Sequence, residues 1–251
     1  MILEPFNGVF WMTIAFFAVI AALIIIFVGK KDMAYREKFL FWLYVGVFVY
    51  FIVYKILLSM DTEYSMLCYE ENLGAFSWWK ELPLQLCNIS IVLLPIGIKA
   101  DLRPLKAFCF YISLLGATLA IIISETGFKG YSLFEPRVMN FQFTHLFGCI
   151  MPFLLHGLDI YRPKFKDILP TMGMFLCIGG VVHLINLALR ATVEQHVNYM
   201  FTCDPTNSAL QFFWNIIPYK FFYLLPAALV VLPTWMLLMA TVTRGIEKLT
   251  G

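Results

Sequence analysis

Charge is what this chain has least of: Asp, Glu, Lys and Arg together supply only 14% of its 251 residues. Soluble domains carry about 25%, and so small a share does not coat a water-facing surface. The shortage excludes a soluble enzyme and a disordered chain. The same shortage excludes a nucleic-acid binder; the net charge of +2 says nothing about partners, because what matters in such a chain is where the charges fall. No Gly-x-Ser-x-Gly elbow, His-Glu-x-x-His or phosphate-cradling loop occurs, so those hydrolase and nucleotide signatures are missing. No carboxylate falls mid-span, because Glu125 sits at an outer helix end; this weakens a coupled-transporter reading. There is no internal repeat and no low-complexity stretch.

What is present is apolar. Hydrophobic residues make up 61% of the chain, and a membrane crossing needs about 20 of them in a row. Seven such runs fall at about 8–28, 39–60, 82–99, 104–125, 139–158, 168–190 and 219–243. The expected fold is therefore an all-α, polytopic helix bundle forming one transmembrane domain over 1–251. Residues 208–218 are apolar but too short to span, and read as an interfacial or re-entrant helix ending at Pro218.

Orientation follows from the basic loops. Lys30, Lys31, Arg36, Lys38, Lys99, Arg103, Lys106, Arg162, Lys164, Lys166, Arg244 and Lys248 share one side, and only Lys80, Lys129, Arg137 and Arg190 the other. Seven spans then run from an outer N-terminus to a cytoplasmic C-terminus, in a plasma or organelle membrane. The first span lacks a basic leading region and reads as a span rather than a cleaved signal. Cys109, Cys149 and Cys177 read as small apolar core residues. Cys68 and Cys203 fall in outer loops, where a disulfide between them is compatible with an oxidising compartment.

Polar groups inside a span need a reason. Lys55 and Lys220 are near span ends and can snorkel. Three residues are harder to account for. Cys87, His145 and His183 come from three spans, yet each lies about 10 Å below the outer surface at 1.5 Å per residue. Pro83 is expected in the first turn of the third span, with Cys87 one turn later, where the helix dipole favours thiolate. Gln85 and Asn88 flank the thiol, Gln142 lies three residues before His145, and Asn186 three after His183. Asn198 and Tyr199, just past the sixth span, are placed to fold over the outer mouth. A set of this kind suits a cysteine nucleophile with a histidine base. It equally suits the ligand site of a carrier or receptor. His145, His183 and His196 also leave open a zinc site, although they lack tight ligand spacing.

The run Leu82-Pro83-Leu84-Gln85-Leu86-Cys87-Asn88 resembles the Leu-Pro-Leu-His-Leu-Cys-Asn/Asp signature of the YwaF-like bacterial membrane proteins and of their animal relatives, the transmembrane protein 164 family. The likeness extends to Phe141 through His145, Tyr161-Arg162-Pro163, Asn198-Tyr199 before Pro205, and Trp214 to Tyr219. It implies a coenzyme-A-independent phospholipid acyltransferase, with Cys87 carrying the acyl group and His145 matching the family histidine. One departure stands out: Gln85 occupies a position where many members have His. On this reading a phospholipid is the acyl donor and a lysophospholipid the acceptor, with no cofactor and no metal. Asn88, Gln142 and Asn198 would stabilise the oxyanion, and His183 and Asn186 would orient His145 or bind the headgroup. Attack by water instead of lysolipid would make the same site a lipase.

Overall fold

The computed structural model describes residues 1–4, 6–61, 76–123, 132–134, 136–206 and 208–250. It is all-α; among the described residues no strand forms. The α-helices are α1 (Gly8–Val28), α2 (Met33–Ser59), α3 (Leu86–Lys99), α4 (Arg103–Ile123), α5 (Pro136–Gly157), α6 (Ile168–Thr192), α7 (Ser208–Ile216) and α8 (Leu232–Thr250). Six segments are long and apolar enough to cross a membrane: α1, α2, residues 103–122 of α4, 138–157 of α5, Phe165–Thr192 and Phe222–Lys248. At 14 residues, α3 is shorter. Large apolar side chains such as Phe16, Phe27, Leu169, Leu184 and Val230 stand exposed on these helices, as lipid-facing residues must.

The chain divides into two compact units, Met1–Tyr54 with Leu86–Arg162, and Lys55–Gln85 with Pro163–Gly251. In the first, α4 packs against both α3 and α5, and α1 lies on α5. Between lipid-bathed helices the attraction is close packing rather than water release, so small residues mark the crossings. Gly148 of α5 is one: a Cβ there would come within 3.0 Å of Ala117 Cβ on α4. Aromatic contacts fill the α1–α5 seam. Phe17 meets Phe143 and Phe147 edge-on at 5.9 and 5.2 Å, each pair contributing about 1 kcal/mol. The buried Tyr44 hydroxyl donates to Phe147 O at 2.8 Å.

Two helices end on aspartate where glycine is the usual stop. Asp101 closes α3 at φ 48° and Asp159 closes α5 at φ 65°. In each case the next N–H reaches back five residues: Leu102 to Gly97 O at 2.9 Å, and Ile160 to Leu155 O at 3.0 Å. This is the Schellman arrangement, and a short polar side chain tolerates its left-handed residue. Arg103 then donates to Arg162 O at 3.0 Å and lies over the Tyr161 ring at 5.0 Å.

Within the second unit, α6 carries His183 and Asn186, and a short helical turn, Tyr199–Phe201, follows it. The expected last span is not one continuous helix from residue 219. Pro218 and a tight turn at Phe221 break the backbone, and helical structure resumes as Phe222–Leu224, a π-segment Ala227–Val231 and then α8. Pro226 and Pro233 bracket the π-segment, and proline cannot supply the N–H that regular α-helix requires. Lys55 does not merely snorkel: it forms an ion pair with Glu81.

Candidate functional site

The third helical segment begins later than its hydropathy suggests. Pro83 does not sit in a first helical turn; it lies in a tight turn closed by Leu84 N–H to Leu82 O at 2.7 Å, and α3 starts at Leu86. The α-conformation is disfavoured before a proline, which keeps Leu82 out of a helix. Cys87 is consequently the second residue of α3, inside its first turn rather than a turn deeper. The N–H groups of that turn have no intrahelical acceptor, so their partial positive charge faces the sulfur.

Opposite it, α5 supplies His145. Cys87 Sγ lies 3.3 Å from His145 Nε2, and both residues are buried. The second ring nitrogen determines the chemistry. His145 Nδ1 sits 2.7 Å from Phe141 O. A carbonyl oxygen only accepts, so Nδ1 carries the proton and Nε2 presents its lone pair to the thiol. That is the tautomer a general base needs. The Phe141 ring, 4.2 Å from the imidazole, covers one face of it.

Around this pair, Asn88 Oδ1 is a second, weaker acceptor for the thiol at 3.8 Å. Gln142 is buried, and its Oε1 has no hydrogen-bond partner among the described residues. A buried amide oxygen left unpaired is costly. Cys149, one turn beyond His145, contacts Thr118 Oγ1 at 3.7 Å.

The other sequence candidates gather in the second unit around the chain that follows α6. Asn186 is fully buried; its Nδ2 donates to Tyr199 O and Thr202 Oγ1, both at 2.8 Å, and its Oδ1 accepts from Tyr199 N at 3.0 Å. His183 Nδ1 is 3.0 Å from the same Thr202 hydroxyl. Asn198 is spent on its own loop, accepting from Cys203 N at 3.0 Å and donating to Asp204 O at 2.8 Å. Tyr199 accepts from Leu82 N at 2.9 Å and donates to Trp79 O; burial pushes this phenol well above its ordinary value. Gln85 accepts from Met200 N at 3.0 Å, which tethers the loop. Arg190 pairs with Asp204.

Cys203 is buried, and its expected partner Cys68 lies outside the described residues. His196 pairs with Glu194 at 3.3 Å. Among the described residues, no group of three or more His, Cys, Asp or Glu side chains is placed to hold a metal ion. Sequence reasoning overlooked Thr202, which joins His183 to Asn186, and Phe141 O, which sets the tautomer of His145. Neither leaves a trace in sequence, since one is an ordinary loop threonine and the other a main-chain atom.

No curated protein and no solved structure matches the chain. The model of the TMEM164 family matches residues 5–239, nearly its whole length. The chain is a multi-pass integral membrane protein, and it belongs to the TMEM164 family.

Proposed function

We propose that the protein is a phospholipid acyltransferase that works through a Cys87 acyl-thioester with His145 as its base. The observation that carries this is the 3.3 Å Cys87–His145 contact, with Nδ1 already committed to Phe141 O. In the first step His145 Nε2 takes the thiol proton as sulfur attacks the ester carbonyl of a phospholipid. The tetrahedral intermediate collapses, its alkoxide leaving with the proton held on His145, and a lysophospholipid departs. In the second step a different lysophospholipid gives its hydroxyl proton to His145 and attacks the thioester. The thiolate leaves, is reprotonated, and a new phospholipid has formed without coenzyme A. Gln142, and Asn88 after rotation of its amide, are the candidate oxyanion donors in this water-poor interior. Asn198 and Tyr199 are too fully engaged to serve, and act instead to hold the outer loop.

In this reading α3, with the irregular residues before it, forms a seventh crossing. The N-terminus is then outside, the C-terminus cytoplasmic, and the site lies in the outer-leaflet half. Intact mass spectrometry of protein purified from its own lipids, with and without hydroxylamine, tests it. The expected result is a hydroxylamine-labile acyl adduct that maps to Cys87 and disappears in Cys87→Ala. No adduct, with donor phospholipid intact after hours, would leave a carrier or receptor whose polar site binds a ligand. No adduct but steady fatty-acid release would indicate a lipid hydrolase, and stoichiometric zinc lost from His145 and His183 variants would make it a metal-dependent one.

A further inference from the structure

His183 is an intramembrane histidine that the acyl-transfer scheme does not use, and its proton can be located. Tyr199 donates its N–H to Asn186 and accepts from it through its carbonyl, at 3.0 and 2.8 Å. An N–H only donates and a carbonyl only accepts, so the Asn186 amide has a single possible orientation. Its remaining N–H therefore goes to Thr202 Oγ1 at 2.8 Å. The Thr202 hydroxyl, having accepted, still has its own proton to give, and among the described residues the acceptor in reach is His183 Nδ1 at 3.0 Å. Thr202 is buried, and a hydroxyl proton left unbonded there is costly, which favours its donation to Nδ1 and the imidazole's own proton on Nε2. That N–H has no partner among the described residues.

The surroundings of this donor are built at some expense. Phe221 has φ 65° and ψ −50°, and Phe222 N–H bonds back to Lys220 O at 2.7 Å. These are the marks of a γ-turn of the rare, strained hand. Met200 and Phe201, on the loop below, also have left-handed φ values of 50° and 55°. Such strain persists only where surrounding contacts enforce it, and it gathers at functional positions. Here the enforcing contact is Phe221 N–H to Thr202 O at 2.7 Å. It lays the Phe221 ring against His183 at 5.2 Å, over the bare backbone of Gly179, one turn earlier on α6, where an added Cβ would come within 3.6 Å of the ring. The turn also fixes Lys220, exposed and without a partner among the described residues, one residue from the ring that stacks on the imidazole.

We propose that His183 Nε2–H and the Lys220 ammonium form a binding site for a phosphate anion, supplied by the phosphodiester of a lysophospholipid or phospholipid headgroup. A directed neutral donor beside a mobile cation is the pairing that phosphate oxygens take up, and the Phe221 ring gives an apolar floor for the adjoining glycerol. Assigning the anion to a lipid rests on the acyl-transfer reading; the anion site itself does not.

The test uses full-length protein carrying Cys87→Ala, so that nothing turns over, in non-ionic micelles, with binding measured by native mass spectrometry. Lysophosphatidylcholine should bind about ten-fold more tightly than the monoacylglycerol of the same chain. Lys220→Gln and His183→Phe should each remove most of that preference, whereas His183→Gln, which keeps a donor near the Nε2 position, should retain it. Because Lys220 is exposed, its substitution reads out binding even if His183→Phe fails to fold. Equal binding of the two lipids, or a preference that survives both Lys220→Gln and His183→Phe, would overturn the site. Inorganic phosphate competing at millimolar concentration, with the same sensitivity to both variants, would keep the anion site and overturn the lipid as its occupant. Histidine ¹⁵N NMR gives an independent reading: a proton on His183 Nδ1 in the unliganded protein would overturn the proposal. Headgroup preference without any Cys87 adduct in the wild type would defeat only the acyl-transfer mechanism; an adduct without headgroup preference would defeat only this site.

Discussion

His145 and His183 are both intramembrane histidines, each in its own unit, and the structure gives them opposite tautomers. At His145 a main-chain carbonyl sits on Nδ1, so Nε2 is left as a lone pair facing a thiol. At His183 a buried hydroxyl, whose proton finds its acceptor in Nδ1, sits on that nitrogen, so Nε2 is left as an N–H. The same side chain becomes a base in one place and a donor in the other, and in both the choice is made by the atom on the far side of the ring. Residue type does not distinguish them.

The strongest way to break this contrast is at the thiol. Cys87→Ala should reduce acyl transfer by at least about 10⁴-fold, since no other buried group replaces a covalent carrier. Next comes its base. His145→Gln should lower kcat by about 10²- to 10⁴-fold, and the residual rate should climb with pH as hydroxide takes over ionising the thiol. A residual rate flat in pH would show that His145 only fills space. His183→Phe should do something different: raise KM for the phospholipid while leaving kcat nearly intact, the signature of lost binding rather than lost chemistry. A kcat loss equal to that of His145→Gln would erase the distinction between the two histidines.

A smaller effect separates the network from the ligand. Asn186 is fully buried and makes three hydrogen bonds that join α6 to the loop behind it. Asn186→Leu strands the Tyr199 N–H and the Thr202 hydroxyl, and should lower stability by about 2–4 kcal/mol in a thermal or denaturant titration. Asn186→Asp should be nearly as harmful. A carboxylate still accepts from Tyr199 N–H but cannot donate to Tyr199 O or Thr202, so the tautomer of His183 is no longer enforced. If Asn186→Asp matched the wild type, the assigned direction of these bonds would be wrong.

What the sequence showed, and what it hid, divide along the same physical line. Hydropathy is a sum over about 20 residues and survives local irregularity, so α1, α4, α5 and α6 are legible to within a few residues, whereas α2 begins at Met33, ahead of the apolar run from 39. The third and last spans are misjudged at their starts because a proline-containing turn is a local event inside an apolar run: Leu82-Pro83-Leu84 before α3, and Pro218 with Phe221 before Phe222. Cys87 and His145 could be singled out because polar groups are expensive in a span, and the structure brings them together. The rest of the candidate site depends on main-chain atoms, Phe141 O and the Tyr199 peptide, which no residue pattern announces. Asn198 and Gln85 were legible as unusual but not in role: each is absorbed in fixing the 198–204 loop.

The least effect concerns how the helices stop, and it tests whether Asp159 is present for its charge or its backbone. A hydrogen bond from Arg162 at 2.5 Å, helped by the nearby positive charges, holds the Asp159 carboxyl below the usual carboxylate range. Its folded-state value is lowered, so the stability it adds is present above the unfolded value near about 3.9 and is lost as pH falls through the lower folded one. Both partners are roughly half exposed, so this amounts to less than about 1 kcal/mol. The backbone contribution should be larger, because φ is 65° and a residue with a Cβ but no short polar group pays about 1–2 kcal/mol there. Asp159→Asn keeps the tolerance and loses the charge; Asp159→Ala loses both. Thermal midpoints at pH 7 should therefore place Asp159→Asn close to wild type and Asp159→Ala clearly below it, with the pH 4 to pH 2 decline shallower in both variants. If Asp159→Asn fell as far as Asp159→Ala, the ion pair rather than the left-handed turn would be what ends α5.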